Sequence, residues 1–95
     1  MPKTLPLVHP GEVLREEFLV PLGLSARTLA GAIGVAPNRV SEIMRGRRDI
    51  SADTAIRLGR YFATDPRFWL NLQAAHDLSK AAATGDFSKI TPHAA

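Results

Sequence analysis

Apolar positions along this chain recur with helical spacing, and prolines and glycines cut the pattern into five segments. After "HPGE", Val13, Leu14 and Phe18 fall on one face, Pro10 suits a first helical turn, and Glu12 is favourable near the positive end of the helix dipole. Pro21 is expected to stop this first helix. A second begins behind Ser25, a good N-cap, carries Leu29, Ala30 and Ile33 at helical spacing, and ends at Gly34, which takes a left-handed conformation at little cost. The third spans about residues 37–45 and ends at Gly46. Ser51 caps a fourth, with Asp53 in its first turn and Ala55, Leu58, Gly59 and Phe62 facing inward. The fifth is capped by Thr64 or Asp65, takes Pro66 into its first turn, and has Phe68, Trp69, Leu72, Ala75 and His76 as its apolar stripe. No strand alternation lasts more than a few residues, so the fold class is all-α, with five helices. From Thr84 the chain turns small and polar, which predicts a domain over 1–83 and a loosely held tail over 84–95, anchored by Phe87 and Ile90.

The second and third segments carry the functional signal. Two short helices joined by a tight glycine-containing turn, about 20 residues in all, make the helix-turn-helix that enters the DNA major groove. Ala30 is small enough for the helices to approach, and Leu29, Ile33, Val35, Val40 and Ile43 supply the packing between them. At roughly 100° per residue, Val40, Ile43 and Met44 form the buried face of the third helix. Asn38, Glu42 and Arg45 then lie nearly opposite, flanked by Arg39 and Ser41. Asn pairs with adenine, Arg with guanine, and Glu accepts from cytosine, so Asn38, Arg39, Glu42 and Arg45 are the candidate base readers. Arg47 and Arg48, in the loop that follows, fall where a docked motif meets sugar-phosphate, with Ser41 beside them. Ser25, the free amide groups that begin the second helix, and Arg27 are placed to hold another phosphate. A polar helix face is by itself usually only a solvated face; the turn geometry is what favours DNA. Glu42 and Asp49 repel phosphate, and each has an arginine nearby to pair with. Ala36 stands where a capping Ser, Thr, Asp or Asn is expected, and an uncapped start costs about 1 kcal/mol.

Composition narrows the remaining choices. Ninety-five residues, 45% hydrophobic, suffice for one modest core, and a formal charge of +3 makes an anionic partner plausible without identifying it. With no cysteine, disulfides, thiolate catalysis and most zinc sites are excluded. The opening "MPKTLPLVHPGEVL" lacks the apolar run of a signal peptide and nothing approaches a membrane-spanning length, which reads as a soluble cytoplasmic protein. His9, His76 and His93 lack metal-ligand spacing, and no nucleophile has an activating partner, so no enzyme, cofactor or metal site is expected. His76 reads as a hydrogen-bonded core or boundary residue. The fifth helix is apolar on a second side, where Leu70, Ala74, Leu78 and Ala81 form a strip. Packing by the first helix or the tail and a subunit interface are equally good explanations; Leu70, Ala74 and Leu78 are the candidate partner surface. Dimerisation has independent support, because one helix-turn-helix reads only a few base pairs.

Three stretches, "HPGEVLREEFL", "LAGAIGVAPNRVSEIMRGRRDIS" and "FWLNLQAAHDL", together resemble the HigA family of bacterial antitoxins, the VapI-like branch of the xenobiotic-response-element helix-turn-helix superfamily. The middle stretch alone indicates only the superfamily; the HPGE opening and the FWLNLQ block narrow it to this branch. The resemblance implies a five-helix, lambda-repressor-like DNA-binding domain that forms a homodimer and represses its own operon. It also implies neutralisation of a small RelE-like, HigB-type toxin that cleaves messenger RNA. Asn38, Arg39, Glu42 and Arg45 fall at the recognition-helix positions of that family, and Arg47 and Arg48 in the loop after it. A stand-alone phage-type repressor without a toxin partner is the alternative, and a protein-interaction module that no longer uses its helix-turn-helix on DNA is a third.

Overall fold

Local capping chemistry decides where each helix begins. In the computed structural model, which describes residues 8–94, His9, Ser25, Ser51 and Asp65 each accept a hydrogen bond from a backbone N–H of the helix that follows. The first seven residues, which open both the expected 1–83 domain and the stretch read for a leader, lie outside the described range, as does Ala95. Helix α1 consists of three consecutive pieces, Pro10–Val13, Leu14–Leu19 and Val20–Leu22; α2 is Ala26–Ile33, α3 Pro37–Met44, α4 Ala52–Phe62 and α5 Pro66–Thr84. The described residues contain five helices and no strand.

Pro21 does not stop α1. The middle piece winds more widely, as a π-helix, and the Val20 N–H reaches back five residues to the Arg15 carbonyl. That wider turn makes room for a proline ring that would otherwise press on the carbonyl four residues back. The helix ends instead at Gly23, in the left-handed conformation. Ala36 gives α3 no side-chain cap, and Pro37 occupies the first helical position, as expected.

The core collects Leu14 and Leu19 of α1, Leu29, Ala30 and Ile33 of α2, Val40 and Ile43 of α3, Ile50, Ala55 and Leu58, and Trp69. Trp69 is the largest fully buried side chain. Its ring lies 5.0 Å from that of Phe18 and 4.9 Å from that of Phe68, and its indole N–H donates to Thr64 Oγ1 at 2.9 Å. With Phe62, 4.8 Å from Phe18, these rings tie α1, α4 and α5 together.

The inner face of α5 differs from the expected stripe. Phe68 is 40% exposed and Ala75 is exposed, whereas Gln73 is buried beside Trp69. The helix is apolar around much of its first half, so periodicity does not single out a face; packing on α4 and α1 does. Gln73 is retained inside because its Oε1 accepts the buried Ile50 N–H at 2.7 Å while its Nε2 donates to Asp77 at 3.0 Å. In the tail, Phe87 and Ile90 are not anchors: both are exposed, and the Phe87 ring lies close over Gly85 of its own segment.

Candidate nucleic-acid interface

The turn between α2 and α3 needs a residue of unusual conformation and has one. Gly34 sits at φ 75°, the Val35 N–H returns to the Ala30 carbonyl at 3.0 Å, and α2 and α3 close on each other through Leu29, Ala30, Val40 and Ile43. Arg57 of α4 locks the same corner: its Nη1 donates to the Ile33 carbonyl at 2.7 Å, at the negative end of the α2 dipole.

The far end of α3 is fixed by the HPGE stretch. His9 Nδ1 accepts the Gly11 N–H at 2.9 Å, Pro10 fills the first helical position, and Gly11 is pressed against α3. A Cβ at Gly11 would stand 1.7 Å from the Ile43 carbonyl oxygen, so only glycine lets α1 approach this closely. Four residues that read as a helix start thus also seat the last turn of α3.

With Val40 and Ile43 inward, Asn38 of α3 and Arg45 at its end are exposed, while Arg39, Ser41 and Glu42 are half-buried along the flanks. Arg47 and Arg48 are exposed in the loop behind it, and Ser25 and Arg27 are exposed at the start of α2. The arginines divide into two classes. Arg39 Nη1 meets Asp53 Oδ2 at 3.0 Å, and Arg48 straddles Glu42 Oε1 with its Nε at 2.9 Å and Nη2 at 2.8 Å. Among the described residues, Arg27, Arg45 and Arg47 have no carboxylate within ion-pair distance. Glu42 is therefore engaged with Arg48, whereas Asp49 lies 3.6 Å from His9 Nε2. The hydrogen bond from Arg57, reinforced by Arg39, holds the Asp53 carboxyl below its usual range, so this carboxylate stays charged.

Two hydroxyls of the expected phosphate set are already committed. Ser25 Oγ accepts the Thr28 N–H and donates to Thr28 Oγ1, and Ser41 Oγ lies 3.3 Å from the Asn38 carbonyl and 3.4 Å from that of Pro37, to which it donates. At the start of α2 the Ala26 and Arg27 amides, rather than the Ser25 proton or the Thr28 amide, are left for an anion. The expected partner strip is also divided: Leu70 is half-buried against the core, while Ala74 is exposed and Leu78 is 71% exposed. His76 is not hydrogen-bonded through Nδ1, which is buried without a partner; its ring stands edge-on to His9 at 4.9 Å. Sequence reasoning missed Asp53 and Arg57 as partners of the recognition helix, because fourteen residues separate Arg39 from Asp53 and no periodicity links them. Among the described residues no cluster of His, Asp and Glu is arranged to hold a metal ion, and no helix is long and apolar enough to cross a membrane.

Comparison with known proteins bears on the same segment. A helix-turn-helix family model matches residues 14–69. Virulence-associated protein I of Dichelobacter nodosus is 57% identical over 77 residues, covering 81% of this chain and 71% of that protein. Antitoxin HigA-1 of Vibrio cholerae is 44% identical over 71 residues, covering 75% of this chain and 67% of that protein. The Pseudomonas aeruginosa antitoxin HigA, solved with the higBA promoter, superposes with a TM-score of 0.86 at 47% identity, covering 92% of this chain and 98% of that one. The chain belongs to the HigA family of helix-turn-helix proteins. The HigA family comprises antitoxins and transcription regulators, not enzymes, and the HPGE and FWLNLQ stretches that narrow the resemblance to it have structural work here: the first seats α3, and the second supplies Trp69 and Gln73 to the core.

Proposed function

We propose that this chain is an operator-binding antitoxin that represses its own operon as a homodimer and neutralises a RelE-like, HigB-type toxin. The observation that carries the DNA reading is the seating of α3: Arg57 on the Ile33 carbonyl fixes the corner that leads into it, Gly11 lies against its Ile43 carbonyl, and Asn38 and Arg45 face outward. In the groove, Asn38 and Arg45 read base edges, with Arg39 and Glu42 at the flanks of the same face. Arg47, Arg48 and Arg27, helped by the amides after Ser25, hold the phosphates that set the register; Ser41, its proton turned back into α3, contributes least. Related antitoxins solved with operator or promoter DNA support this reading.

Toxin neutralisation rests on family membership, and the exposed Ala74 and Leu78 side of α5 is the surface proposed for a protein partner, whether a second subunit or the toxin. Co-expression with the product of the adjoining gene, read by growth and pull-down, tests that part. Rescue of growth with a recovered complex is expected; operator binding without any rescue would leave a stand-alone repressor. Leu78→Glu separates the owners of the surface: loss of the dimer marks a subunit interface, and loss of rescue with the dimer intact marks a toxin site.

A further inference from the structure

Beside the recognition helix lies an open pocket of about 410 Å³, lined by Arg39, Arg48 and Arg57 together with Asp49 and Asp53. Within it a single oxygen, Asp53 Oδ2, accepts from Arg39 Nη1 at 3.0 Å and from Arg57 Nε at 2.9 Å. Arg57 is itself anchored, through Nη1, to the Ile33 carbonyl at 2.7 Å and the Gly34 carbonyl at 3.4 Å. An unbroken chain of hydrogen bonds therefore runs from the helix-turn-helix corner, through Arg57 and Asp53 on the first turns of α4, to Arg39 on the first turn of α3.

We infer that Asp53 is a positioning residue that determines specificity: it holds Arg39 in its reading orientation and penalises contacts with DNA that pull Arg39 out of it. The inference rests on the DNA reading proposed above. A guanidinium has five N–H donors, and the Asp53 bond uses one from Arg39, so on a matched site Arg39 reaches a base edge or phosphate without giving up Asp53. On an unmatched duplex, where backbone phosphates approach in other registers, Arg39 swings away and leaves the Asp53 carboxylate, then paired with Arg57 alone, close to phosphate. That repulsion falls on the wrong complex and not on the right one. A generic surface cation has no such bias, and Arg47, which lacks a carboxylate partner among the described residues, attracts every duplex alike.

The test compares Asp53→Asn with the wild type on two duplexes, one selected by the wild-type protein from a randomised library and one scrambled version of the same composition. Asp53→Asn is expected to tighten binding to the scrambled duplex about fivefold while changing the selected one less than about twofold. The log-log salt slope on scrambled DNA should steepen by about one per protomer, as a freed arginine adds a phosphate contact. Asp53→Glu should restore discrimination. In an Arg39→Gln background the effect of Asp53→Asn should shrink below about twofold, since the pair acts as a unit. Equal changes on both duplexes, or the same loss of discrimination without Arg39, would overturn the inference while leaving DNA recognition standing; a wild-type protein that selects no sequence would overturn both. Thermal melting of each variant reports folding, and if Asp53→Asn melts early, Asp53→Ser, which keeps an acceptor in the first turn of α4, carries the same comparison.

Discussion

Around Trp69 the helices are held by aromatic rings packed on a fully buried indole; around Arg39 they are held by ion pairs at the surface. Phe18, Phe62, Phe68 and Trp69 bring α1, α4 and α5 into contact through apolar area and ring-edge geometry, with one indole N–H satisfied by Thr64. Arg39, Asp53 and Arg57, and separately Arg48 and Glu42, link α3 and its loop to their surroundings at the solvent boundary. Exposed pairs typically contribute between nothing and about 1 kcal/mol, whereas truncating a buried aromatic costs about 3 to 5 kcal/mol. The first region decides whether the domain exists, the second where its charges point. Stability and recognition are thereby separable by mutation.

The largest expected effect lies in the aromatic region. Trp69→Ala should lower unfolding stability by about 3 to 5 kcal/mol in denaturant titration, enough to unfold much of a small domain at room temperature. Next, Gln73→Leu should cost about 1 to 3 kcal/mol, because it strands the buried Ile50 N–H without an acceptor while leaving volume nearly constant. A neutral result there would mean that water reaches Ile50 and that the boundary between the two regions lies deeper than drawn. Smaller again, Arg39→Gln should change stability by less than about 1 kcal/mol yet weaken binding to a selected duplex. A loss of stability matching that of Trp69→Ala would erase the distinction between the regions.

The smallest effect concerns pH. Burial, then the neighbouring His76, lowers the His9 pKa from 6.5, against opposing effects of Asp49 and Asp77. The folded state thus binds a proton less readily than the unfolded chain, so the His9 contribution is intact above pH 6.5 and is lost as pH falls through 6.5 and then through the lowered folded value. Protonation also turns Nδ1 from acceptor to donor and removes the cap on Gly11. His9→Asn, whose Oδ1 can take over that cap, should flatten the decline in melting temperature between pH 7 and pH 5; an unchanged slope would assign the decline to other groups.

Much of this was legible in the chain because the signals are local. Ser25, Ser51 and Asp65 announce helix starts by their own side-chain chemistry, Gly34 announces the turn, and Val40 and Ile43 define the inner face of α3. What was not legible depends on neighbours distant in sequence. Pro21 reads as a stop until the wide turn before it is seen, and Phe68 reads as core beside Trp69 until α4 and α1 leave it outside and take in Gln73. His9 looked isolated, yet it caps α1 and stands against His76, sixty-seven residues on by number. In the candidate site, the outward positions on α3 and the pairing of Glu42 with a nearby arginine followed from the local sequence, but the tethering of Arg39 arises from Asp53 on α4, which no reading of α3 supplies.

On the proposed function, α3 and the loop behind it form an electrostatic and base-reading surface for duplex DNA. The most direct test of that reading is the salt dependence of binding to a duplex selected by the wild-type protein. A dimer making about four phosphate contacts per subunit should give a log-log slope near −7. Arg47→Ala should reduce that slope by about 2 and weaken all sequences alike. A slope near zero would mean that this surface does not engage the phosphates of a duplex.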